Sequence, residues 1–95
     1  MVDEDEQLDQ ALRKFGYVSG QACQLQEGEK RAEFERKALD VANRILRYFG
    51  SDQAFYFAAA FGAGLVADID DADRDKILEE HAKMLSQLKS LAEAK

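Results

Sequence analysis

Gln53-Ala54-Phe55-Tyr56-Phe57-Ala58-Ala59-Ala60-Phe61-Gly62-Ala63-Gly64-Leu65-Val66-Ala67 contains no ionisable group except the phenol of Tyr56. Fifteen such residues without proline predict a helix, and Phe55, Phe57 and Phe61 point around most of its circumference. A helix apolar on nearly all sides belongs at the centre of a domain or of a dimer. It is too short to cross a bilayer, which takes about 20 apolar residues. Ala58 with Gly62, and Ala60 with Gly64, are spaced to form small faces that admit a neighbouring helix closely.

On the N-terminal side of this run, Gly50 stands where a helix end favours a left-handed residue, and Ser51 and Asp52 are suitable N-caps. Phe34, Ala38, Val41, Ile45 and Tyr48 form an apolar stripe that Leu46 and Phe49 widen. A helix over Glu29 to Phe49 is therefore expected, turned out of its predecessor at Gly28. Its outer face pairs Glu33 with Lys37 and Asp40 with Arg44, acid before base at one-turn spacing.

Before that turn, Leu8, Ala11, Phe15, Val18, Ala22 and Leu25 alternate steps of three and four, which lines them on one side of a helix expected from about Glu4 to Gln26. Asp3, Glu4, Asp5 and Glu6 would complement the positive end of its dipole. Gly16 and Gly20 interrupt it, each costing up to about 1 kcal/mol relative to alanine. Either the helix breaks near Gly16 or another backbone comes close there.

After the central run, Asp68-Ile69-Asp70-Asp71-Ala72-Asp73 is a polar turn, with Asp70 or Asp71 as N-cap. Ile77, His81, Met84, Leu88 and Leu91 keep heptad spacing to about Leu91, joined by Leu78 and Leu85. The expected fold is all-α: a compact antiparallel bundle of three to four helices around a central apolar helix, with residues 1–95 as one domain.

The inventory for chemistry is thin. His81 lies at an inward position, where a packed core histidine is the ordinary outcome. Pairing it with Cys23 as a catalytic dyad would require their helices to meet at those residues. An EF-hand loop beginning at Asp68 would match at Asp70 and Glu79. It fails at Ala72, and at Asp73, where glycine is required. Glu79, Glu80 and His81 lack the second histidine of a di-iron pattern, and Gly62-Ala63-Gly64 lacks the lysine of a phosphate loop. No catalytic residue, metal site or cofactor is assigned, and the chain is expected not to be an enzyme.

A net charge of −6 repels phosphate backbones and anionic lipid, so neither nucleic acid nor membrane insertion is expected. The basic residues of the second helix exceed its acids too slightly to form a DNA-reading face. A single cysteine and an acidic start without an apolar leader suit the cytoplasm, or a periplasmic or secreted setting if a leader has been removed.

What remains is assembly. Three amphipathic helices around an almost wholly apolar one offer more apolar surface than a small bundle hides. The expectation is an interaction module, either a homodimer or an accessory docking subunit of a larger assembly. Phe55, Phe57, Phe61, Gly62, Gly16, Gly20 and Tyr17 are the candidate contact residues. The alternative is an acidic, immunity-type inhibitor that neutralises a basic protein target.

Overall fold

The computed structural model describes residues 4–94, with four helices: α1 Glu4–Gln24, α2 Gly28–Tyr48, α3 Ser51–Leu65 and α4 Asp71–Glu93. No strand occurs among the described residues, so the fold is an all-α bundle. Asp3, expected in the opening turn of α1, lies outside them.

Each boundary has a local cause. α1 closes two residues earlier than expected, where Leu25 and Gln26 donate to the carbonyls three residues back, those of Ala22 and Cys23, and tighten the last turn. At the α2–α3 corner the amides of Phe49 and Gly50 both donate to the Ile45 carbonyl, at 2.8 and 3.2 Å. Gly50 has φ +115°, a conformation glycine takes readily. That residue both ends α2 and opens α3, so Ser51 and Asp52 fall inside the first turn rather than at the N-cap. Asp70 takes the N-cap of α4 and accepts from the Arg74 amide at 2.8 Å. The preceding turn passes through Asp68 at φ +62°, which aspartate tolerates better than most residues.

Consecutive helices reverse direction, and α3 is the hub that touches all three others. Among the described residues α1 and α4 flank it without meeting: no Cα of one comes within 8 Å of the other. The molecule measures 38 × 34 × 21 Å, a slab two helices thick, given that one helix is about 10 Å across. All four helices feed one core, including Leu12 and Cys23 of α1, Ala42 and Leu46 of α2, Phe57, Phe61 and Leu65 of α3, and Leu88 of α4.

The closest contact is between α1 and α3. Positions along the two helices advance together, Gly16 against Phe57 and Ala60, then Gly20 against Phe61 and Gly64, so this pair runs parallel. A methyl group added at Gly20 would collide with the Phe61 carbonyl oxygen and lie 2.9 Å from the Gly64 Cα. One added at Gly64 would collide with the Tyr17 carbonyl oxygen. The glycines do not break α1; they bring two backbones into contact, where dispersion and weak Cα–H···O contacts act over the whole seam.

This contact sets the orientation of α1. Its buried residues are Leu12, Gly16, Gly20 and Cys23. The apolar stripe is turned roughly a third of a turn away from them, although Leu8 at its N-terminal end still packs against the core. Phe15, Val18 and Leu25 are 50%, 53% and 80% exposed.

Candidate functional site

Most residues expected to meet a partner are used inside the chain. Phe57 and Phe61 are fully buried, Gly16, Gly20 and Gly62 are buried, and Phe55 is half-buried. Only Tyr17 is well exposed. Nor is α3 closed on every side, because Ala59 and Ala63 reach solvent. With Ala60, Tyr56, Arg13 and Tyr17 they line a shallow groove between α1 and α3. The Arg13 guanidinium lies 4.4 Å from the Tyr56 ring centroid at one end of it.

The larger apolar surface is on α1. Ala11, Phe15, Val18, Ala22 and Leu25 form a ridge about four turns long, and of these only Ala22 is partly covered. Phe15 stacks on Phe57 with ring centroids 5.3 Å apart, so the ridge is anchored to the core from one side. Beside it runs a groove of about 250 Å3 between α1 and α2. Phe15 and Ser19 form one wall, Phe34, Ala38 and Val41 the other, and Phe57 and Phe61 the floor. Periodicity gathers these ridge residues on one side of α1 without saying which way that side points.

The groups with chemical potential are held in structural roles. The His81 ring fills the notch left by Gly62, and its Nε2 lies 2.9 Å from the Ala58 carbonyl oxygen. That contact requires the tautomer with hydrogen on Nε2. Burial pushes the imidazole below its ordinary pKa, and the bond to Ala58 offsets part of that shift, so the ring is neutral at neutral pH. Cys23 is fully buried, and its thiol points to the Arg31 carbonyl at 3.9 Å. Burial first, and then the negative charge of Glu35, push its pKa up to about 11 against the opposing pull of Arg31. Such a thiol is not a nucleophile at neutral pH. Cys23 and His81 lie on the two helices that never meet, so the sequence pair is not brought together.

A polar cleft of about 580 Å3 lies where the α1–α2 corner meets the α3–α4 turn. Arg31, Lys76, Asp68, Asp70, Asp73 and Glu80 line it. The Gln24 side-chain amide donates to the carbonyls of Leu65 and Ala67 at 3.2 and 2.6 Å, and the Arg31 Nη2 donates to the Gln24 carbonyl at 3.1 Å. These bonds satisfy the open carbonyl ends of α3 and α1. Glu35, beside the cleft, has its pKa raised by burial and then by Glu80, with Arg31 opposing. No group of three or more His, Cys, Asp or Glu among the described residues is placed to hold a metal ion. No described helix is long and apolar enough to cross a membrane.

The chain matches no protein-family model, no curated protein and no solved structure.

Proposed function

We propose that the chain is a non-enzymatic protein–protein interaction module that assembles, with itself or within a larger complex, through the apolar surface of α1 and its groove with α2. The observation that carries this reading is the continuous exposure of Phe15, Val18 and Leu25 along one helix. Covering these side chains would contribute about 1–2 kcal/mol each, because roughly half or more of each is still in water. Isolated exposed apolar residues are ordinary on any protein. A four-turn ridge with a groove beside it is a patch of the kind that marks binding surfaces. The negative net charge favours a protein over a phosphate-bearing partner.

Sedimentation velocity at micromolar concentration, with titration of an apolar fluorescent dye, tests the reading. A covered ridge gives an oligomer. An uncovered ridge gives a monomer that binds dye, with binding lost in Phe15→Glu. A monodisperse monomer without dye binding would remove the basis of the proposal.

A further inference from the structure

The ridge has an internal order of sizes. Along α1 it runs small, large, medium, small, large: Ala11, Phe15, Val18, Ala22, Leu25. We propose that its occupant is the same ridge of a second copy, the two α1 helices packing antiparallel about a two-fold axis at Val18. This rests on the function proposed above and specifies its partner.

Two observations favour that pairing over others. The first is size. An antiparallel match centred on Val18 sets Ala11 against the partner's Leu25 and Phe15 against the partner's Ala22, so every large side chain meets a small one. A parallel match would oppose Phe15 to Phe15 and Leu25 to Leu25, and would leave gaps where alanine faces alanine. Large-against-small packing fills a seam without voids, and a two-fold axis requires a surface to complement itself. The strict three-and-four spacing keeps all five residues on one line, as two paired helices need.

Charge is the second observation. A parallel pair would bring the two acidic first turns, Glu4 and Asp5, side by side. The antiparallel pair sets these two turns at opposite ends of the seam, so repulsion between them is avoided. Ala11 and Leu25 are about 21 Å apart along the helix at 1.5 Å per residue. A contact of that length is short beside standard interfaces, so the dimer is expected to be weak and concentration-dependent.

Sedimentation equilibrium of the wild-type chain across about 1–200 μM, alongside Val18→Asp, tests the pairing at the concentrations such an interface implies. The wild type should pass from monomer to dimer. Val18→Asp should stay monomeric with unchanged helical circular dichroism, because Val18 is 53% exposed. Orientation is read separately by disulfide trapping, with Cys23 silent because it is fully buried. Val18→Cys should cross-link to itself. Leu25→Cys should not, because antiparallel copies hold those positions about 21 Å apart, beyond the roughly 7 Å reach of a disulfide. It should instead cross-link to Ala11→Cys when the two are mixed.

Equal self-cross-linking of Leu25→Cys and Val18→Cys, or a dimer that survives Val18→Asp, overturns the pairing. So does a wild-type monomer that binds dye on the ridge, although that result leaves the proposed function standing. A wild-type monomer that binds no dye overturns both.

Discussion

The α1–α3 and α3–α4 contacts both run over glycines of the central helix and fill the freed space differently. At Gly20 and Gly64 the space is taken by backbone, with no side chain between the helices. At Gly62 it is taken by the His81 ring, whose Cδ2 and Nε2 lie 2.5 and 2.7 Å from where a methyl group would stand. Backbone in a packed helix cannot retreat without moving the helix. A ring on a flexible side chain can swing aside. The same added methyl therefore tests two kinds of rigidity in one molecule.

The largest effect is expected at the backbone seam. Gly20→Ala gains about 1 kcal/mol of helix propensity and should still lose a net 2–3 kcal/mol or more through overpacking. For a chain of this size that lowers Tm by roughly 10 °C or more in a thermal melt. A Gly20→Ala variant as stable as the wild type would show that α1 is not docked through its glycines.

The second contact should give a smaller and conditional effect. Gly62→Ala is expected to cost about 1–2 kcal/mol while the histidine is present, read by urea unfolding. In a His81→Ala background the same change should cost nothing, or stabilise by up to about 1 kcal/mol, because the ring is gone and alanine is the better helix former. Additive costs in this double-mutant cycle would separate Gly62 from His81 and remove the contrast.

This difference also explains what the sequence could and could not disclose. The helices are visible in it, because Gly28, Gly50 and the acidic turn punctuate long apolar periodicities and no proline interferes. The inward position of His81 is visible for the same reason. The inward face of α1 is not. Periodicity weighs side chains by apolar size, so it favoured Phe15 and Val18 and counted Gly16 and Gly20 as gaps. Docking by close backbone contact draws its stability from side chains that are missing. The matching signal lay in two places at once, Gly16 with Gly20 and Ala60 with Gly64, both spaced by four. Neither decides the face alone. The partners of Gln24 and Arg31 are backbone carbonyls, which no residue pattern reveals.

The smallest expected effect is a pH dependence confined to the α3–α4 side. Because the folded-state pKa of His81 lies below its ordinary 6.5, the unfolded chain takes up the proton first as pH falls. The contribution of His81 is therefore complete above about pH 6.5 and declines as pH drops from there toward the folded-state value. Glu35, whose pKa burial raises, titrates with the opposite sign, so the useful quantity is the difference between wild type and His81→Gln. The stability advantage of the wild type should shrink between about pH 7.5 and pH 5. A constant difference would mean that the imidazole is as easily protonated when folded as when free.

Where two backbones touch with no side chain between them, as at Gly20 and Gly64, little in the contact itself stops one helix from sliding along the other. The two polar attachments at the ends of the α1–α3 seam supply what the glycines omit. Arg13 over the Tyr56 ring and the Gln24 amide on the Ala67 carbonyl are each separated by 43 residues in sequence, so both demand the same longitudinal alignment. They act as stops at either end of a rail, and they also fix how far the opposite, solvent-facing ridge of α1 projects along the molecule.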